Sequence, residues 1–133
     1  MTPPAERVLV VLAESMASLA PRTLQGLWVF GSRSRGNEGP DSDLDLALLC
    51  TPPLEFERTA LGDRMGRALA LEVDVVDLGS CDPILAWEVI TSGRLLREWD
   101  ELAVERFVRE ARFRAEDADQ RNRMILLALG RPR

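Results

Sequence analysis

The sequence contains no histidine, no tyrosine and no lysine. Without histidine, imidazole acid–base catalysis and His-ligated metal are both excluded. Without lysine, every one of the 17 basic residues is arginine, so a P-loop with its phosphate-binding lysine is impossible and Schiff-base chemistry is out. Cysteine is scarce: Cys50 and Cys81 are too few for a disulfide framework and lack Cys-x-x-Cys spacing, which suits two reduced, small apolar residues in a cytosolic protein. No apolar run approaches the ~20 residues of a membrane span, and no basic segment followed by an apolar one opens the chain. These absences predict a cytoplasmic protein. Net positive charge is lacking too. A balance of −5 argues against a broad nucleic-acid-binding face, although it leaves room for a local arginine cluster.

What remains for chemistry is carboxylates, arginine, hydroxyls, backbone groups and metal. The 133 residues, 46% hydrophobic and 29% charged, suffice for one domain with a modest core. The stretch that concentrates the chemistry runs from Val29 to Leu49. Leu27–Phe30 is an apolar strand that stops at Gly31. Leu44–Leu49 is a second one that stops before Thr51-Pro52-Pro53. Gly31 and Ser32 open a turn in which backbone N–H groups can point at an anion. Arg33, with Arg35 behind it, can add charge-assisted contacts to phosphate oxygens. Asp43 and Asp45 lie two apart at the start of the second strand, on one face and roughly 7 Å apart along the chain. Two carboxylates beside an anion-binding turn repel unless a cation lies between them, and a divalent metal carrying a phosphate fits.

Gly31-Ser32, ten residues, then Asp43-x-Asp45 resembles the signature of the DNA polymerase β-like nucleotidyltransferase superfamily. The fuller strings Gly-Ser-Arg-Ser-Arg-Gly and Asp41-Ser42-Asp43-Leu44-Asp45-Leu46 are most similar to its minimal nucleotidyltransferase (MNT) branch. A second stretch, Ala86–Glu98, also resembles that branch, in which a helix leads through Gly-Arg-Leu-Leu into a short edge strand. Together the matches cover roughly residues 27–98. The resemblance implies an α/β nucleotidyltransferase fold: a small mixed sheet packed with helices.

Around this core the sequence predicts an opening helix, with Thr2 as cap and Pro3-Pro4 in its first turn, ended by Pro21. A helix over Leu54–Leu69 carries Gly62 and Gly66, which allow close packing on the sheet. Leu71–Leu78 reads as a buried third strand with two aspartates. Asp74 shares a face with Val76 and Leu78, and Asp77 lies on the other. A carboxylate amid apolar residues needs a charge partner. The superfamily draws a third carboxylate from this neighbouring strand, so Asp74 takes that role and Asp77 is read as capping or solvated. Asp82-Pro83 starts a further helix that Gly93 ends. Asp100 caps a last one, over about 100–130, of about 45 Å. Its end, Met124–Leu129, is continuously apolar and should dock on something: its own domain is the expectation, a homodimeric or heteromeric partner surface the alternative. The whole of 1–133 is expected to be one nucleotidyltransferase domain.

The resemblance implies nucleotidyl transfer with two Mg²⁺ ions among Asp43, Asp45 and Asp74, and with Gly31, Ser32 and Arg33 holding the phosphates of ATP. It further implies that this is the antitoxin of a toxin–antitoxin pair, moving AMP from ATP to a tyrosine of a HEPN-domain toxin. Lacking tyrosine, the chain needs that acceptor in trans. The alternatives are adenylylation of a small hydroxyl compound such as an aminoglycoside, and a non-catalytic antitoxin that acts by binding alone.

Overall fold

The computed structural model describes residues 3–31 and 44–129. Within them the elements are α1 (Ala5–Met16), β1 (Thr23–Phe30), β2 (Leu44–Thr51), α2 (Glu57–Leu69), β3 (Val73–Asp77), α3 (Pro83–Ser92), β4 (Arg94–Glu98) and α4 (Glu101–Ala128). The strands form one mixed sheet in the order β3-β2-β1-β4. β1 is antiparallel to β2 and β4, and β2 is parallel to β3. A parallel pair needs a crossover, and α2 supplies it. Among the described residues, no helix is long and apolar enough to cross a membrane.

The alternation of side chains along each strand creates two cores. On one face Leu27, Val29, Leu46, Leu48, Val73 and Val75 pack against Val8, Val11 and Leu12 of α1 and Leu61 and Met65 of α2. Leu61 and Met65 are fully buried, which contributes about 2–3 kcal/mol each. Gly62 and Gly66 let α2 close onto the sheet: a Cβ on either would lie 2.8 Å from the carbonyl oxygen of Val73 or Leu71, respectively. On the other face Trp28, Ala47, Leu49 and Leu78 pack against Ala86 and Val89 of α3 and Val104 of α4. The rings of Trp28 and Phe107 meet at a centroid distance of 6.5 Å. β2, inside the sheet, is therefore apolar on both faces, and Asp45 is the one break in Leu44–Cys50.

Several boundaries differ from expectation. β1 begins four residues early, at Thr23, because Thr23 and Leu24 pair with Thr51 and Cys50 before a register shift at Gln25. The cap position of α1 is Pro4, without a side-chain hydrogen bond, so both prolines precede the helix; Thr2 lies outside the described residues. α2 starts at Glu57, not Leu54. Leu54 is buried all the same, but from a turn in which Glu55 adopts the left-handed conformation (φ 51°). Asp82 and Asp100 cap α3 and α4 as expected, accepting hydrogen bonds from Ile84 N–H at 2.8 Å and Ala103 N–H at 3.0 Å. Gly93 ends α3, and β4 is the edge strand that the Gly-Arg-Leu-Leu run foretold.

The largest departure is the end of α4. At 28 residues the helix is about 42 Å long. It packs through Val104, Ala111 and Ala115. Beyond them Met124, Ile125, Leu126, Leu127 and Leu129 are 53–75% exposed, so this end does not dock on its own domain. Ion pairs between residues four apart (Glu105–Arg109, Arg112–Glu116, Asp117–Arg121, Asp119–Arg123) run along its length. Each contributes only about 0.3–0.5 kcal/mol, enough to favour the helix but not to replace a core.

Candidate active site

Three strands end or begin at one edge of the sheet. β1 stops at Phe30 and Gly31, β2 enters at Leu44, and β3 enters at Val73. The register aligns Phe30 with Asp45 and Asp45 with Asp74, so these residues form one row on one face. The next row on that face, Trp28, Ala47 and Val76, packs into the core made with α3 and α4. Asp45 and Asp74 are thus held at the boundary where the covered part of the face gives way to solvent. Asp45 is half-buried and Asp74 exposed.

Gly31 has φ +76°, a conformation that side chains rarely adopt. A Cβ there would also collide with the Asp45 carboxylate, whose Oδ2 occupies the space. The turn and the carboxylate are therefore built against one another. Gly31→Ala is expected to displace Asp45 and cut nucleotide binding by at least about tenfold, with a stability loss of about 1–2 kcal/mol. Titration calorimetry with ATP and Mg²⁺, set against thermal unfolding, separates the two effects.

Like charges directly opposite on adjacent strands destabilise a sheet. Asp45 and Asp74 stand in that relation, and their hard oxygen donors match a small divalent cation such as Mg²⁺. Among the described residues no group of three or more His, Cys, Asp or Glu side chains comes together as a metal site. Asp43, the expected third member, lies outside the described residues, as do Ser32 and Arg33.

The expectation that Asp74 is buried is corrected: it sits on the predicted face, but at its open end. Asp77 is corrected as well, since it is the buried carboxylate, 2% exposed. Its oxygens accept hydrogen bonds from Glu55 N–H (3.0 Å), Gly79 N–H (3.3 Å) and the Ser80 hydroxyl (2.6 Å). Capping was the correct half of its reading. The signal that could have told the whole is Asp77-Leu-Gly-Ser, the composition of a turn closed by an aspartate side chain. Arg22 completes this far end by donating to the Pro52 and Pro53 carbonyls at 3.2 and 3.3 Å and pairing with Glu57.

Both cysteines lie near that end and are poor nucleophiles. Burial, with the charge of Asp77 second, pushes the Cys50 thiol up to about 11. The same causes raise that of Cys81, with a contribution from Asp82. Cys50 Sγ donates to the Pro52 carbonyl at 3.5 Å, which also favours the neutral thiol. The folded state therefore keeps a proton that the unfolded chain gives up near pH 9, and Cys50 removes stability as pH rises from about 9 to about 11. Iodoacetamide at pH 8 is expected to leave Cys50 unmodified in the native protein and to label it once urea unfolds the chain.

The family model described as "Polymerase beta, Nucleotidyltransferase" matches residues 17–102. The protein adenylyltransferase MntA of Shewanella oneidensis is 38% identical over 74 residues, which are 55% of this chain and 53% of MntA. The chain thus spans about half the length of the curated relative it matches. Over nearly the whole chain, the structure is similar to one from a crystal structure of a toxin–antitoxin with AMP-PNP, at TM-score 0.80 and 26% identity, covering 96% of this chain and 98% of that one. It is also similar to a chain of the tri-AMPylated Shewanella oneidensis HEPN toxin in complex with MNT antitoxin, at TM-score 0.74 and 25% identity, covering 94% of each.

Proposed function

Because the chain belongs to the polymerase beta nucleotidyltransferase family, we propose that it transfers AMP from ATP to a tyrosine of a HEPN-type protein partner. The observation that carries this reading is the row across the sheet, with Gly31 closed against Asp45 and Asp45 in register with Asp74. The acceptor class is supported by the relative named protein adenylyltransferase MntA and by the likeness to a chain from a complex whose HEPN toxin is AMPylated.

In this reading Gly31, Ser32 and Arg33 hold the phosphates of ATP with backbone N–H, hydroxyl and guanidinium donors. Asp43, Asp45 and Asp74 would hold Mg²⁺, two ions in the full form. When bound, the metal neutralises phosphate charge and eases deprotonation of the acceptor hydroxyl. Asp74, the outermost of the row, would take the proton of the acceptor hydroxyl. The hydroxyl oxygen bonds to the α-phosphorus as the bond to the β-phosphate's bridging oxygen breaks, and pyrophosphate leaves. The remaining task for the protein is positioning, which the rigid β2 and β3 provide.

The test uses ATP labelled on its α-phosphate, Mg²⁺ and a purified HEPN-domain protein as acceptor. Label is expected on tyrosine, and only in the partner, since this chain has none. Absence of label from the partner, with both proteins folded, sinks the reading.

A further inference from the structure

We propose that the open edge of β3 receives an extended segment of the acceptor protein as an added strand, with an apolar side chain of that segment seated between Phe56, Val76 and Leu85. The inference rests on the reading of Gly31, Asp45 and Asp74 as a nucleotidyl-transfer site. It adds where the acceptor lies and what grips it.

The first argument is the order of groups across the sheet. Gly31, where the proposed phosphate turn begins, follows β1, one carboxylate is on β2, and the next is on β3. Nucleotide phosphates on the β1 side leave the β3 side for the acceptor. Beyond β3 the sheet has no further strand among the described residues.

The second is the hydrogen-bonding state of that edge. Leu44 N–H bonds to the Glu72 carbonyl at 3.0 Å, and Leu78 N–H to the Leu48 carbonyl at 3.0 Å. By the alternation of a parallel ladder, Glu72, Asp74, Val76 and Leu78 face β2, whereas Val73, Val75 and Asp77 turn their peptide groups outward. Gly62 of α2 closes over the Val73 carbonyl. The Asp77 carbonyl accepts from Ser80 and Cys81 N–H at 3.2 and 3.0 Å. The Val75 peptide and the Asp77 N–H are left to the edge. This is room for a short strand, and too little to invite indiscriminate pairing.

The third is a cavity of about 480 Å³ against the same edge, lined by Glu55, Phe56, Arg58, Val76, Cys81 and Leu85. Its rim is built. The buried Asp77 holds the Glu55 N–H and with it the left-handed turn, which throws Phe56 out to 93% exposure beside the cavity. An aromatic ring held in water next to an apolar recess is the usual form of an unfilled anchor site. Val76 shares a face with Asp74, two residues and roughly 7 Å away. A residue seated over Val76 therefore sets the acceptor residue about two positions along an extended segment.

The experiment follows amide hydrogen exchange of the full chain with the HEPN protein, Mg²⁺ and a non-hydrolysable ATP analogue, alongside the AMP-transfer assay. Slowed exchange over 73–77 is expected. So is a rise of about tenfold in the half-saturating partner concentration for Phe56→Asp, but not for Phe113→Asp, an exposed control on α4. Transfer to the partner with exchange at β3 unchanged and Phe56→Asp silent overturns the groove and leaves the transfer reading standing. Protection at β3 without transfer supports the groove and removes that reading. Neither binding nor transfer removes both. Protection that grows with the concentration of the chain alone overturns the proposal in favour of β3 pairing with a second copy.

Discussion

Asp45→Asn is expected to lower AMP transfer by about three to four orders of magnitude, on the order of 5 kcal/mol of transition-state stabilisation. The substitution keeps the size of the side chain and one of its oxygens, so the packing against Gly31 survives. It removes the charge that a metal site in this row requires. Stability is expected to stay the same or rise, because Asp45 and Asp74 are like charges in register and neutralising one relieves their repulsion. Loss of transfer with a retained or raised melting temperature is therefore the signature of a functional carboxylate. Transfer within tenfold of wild type would show that Asp45 holds no metal. Thermal unfolding and a labelled-ATP time course settle this in one preparation.

Asp77→Ala is expected to act first on stability. Three donors would lose their acceptor: the Glu55 and Gly79 N–H groups and the Ser80 hydroxyl. A buried donor left unsatisfied costs about 1–3 kcal/mol, and these part-buried ones are partly relieved by water, so a net loss of about 3 kcal/mol follows. That corresponds to a fall of roughly 10 °C in melting temperature. Asp74→Asn, at an exposed position, is expected to leave the melting temperature within about 2 °C and to abolish transfer. The two aspartates of β3 are thus expected to separate by readout, the melting temperature for Asp77 and transfer for Asp74. If the stability loss followed Asp74 and the loss of transfer Asp77, the assignment of the third carboxylate would be reversed.

Why the sequence could sort these two aspartates by face but not by burial is plain from the fold. Parity along Leu71–Leu78 separates Asp74 from Asp77 whatever surrounds them. Burial depends on what covers each end of each face. The turn at Leu54–Phe56 closes over Asp77, whereas Asp74 lies at the exposed end of its face. The same turn explains the error at α2. Leu54 stands at helical spacing from Leu61 and is as deeply buried, so periodicity alone extends the helix to it. A hydrogen bond from Glu55 to a side chain 22 residues away decides otherwise, and local pattern carries no trace of it. The pairing of Gly31 with Asp45 was legible because its meaning is local: Gly31 must be glycine, and it stands at a strand end next to the strand that bears Asp45. The apolar run Met124–Leu129 announced a need for cover. It could not announce that the domain beneath ends too early to give it.

That uncovered end of α4 bears on how much of this protein a cell can hold. Chaperones and proteases bind exposed apolar surface of this kind, so the chain with α4 uncovered is expected to be cleared faster than with α4 covered. Folding alone does not remove the mark, because the exposed leucines belong to the folded state. A partner that covers α4 is therefore expected to lengthen the protein's lifetime, which a pulse-chase with and without that partner would read.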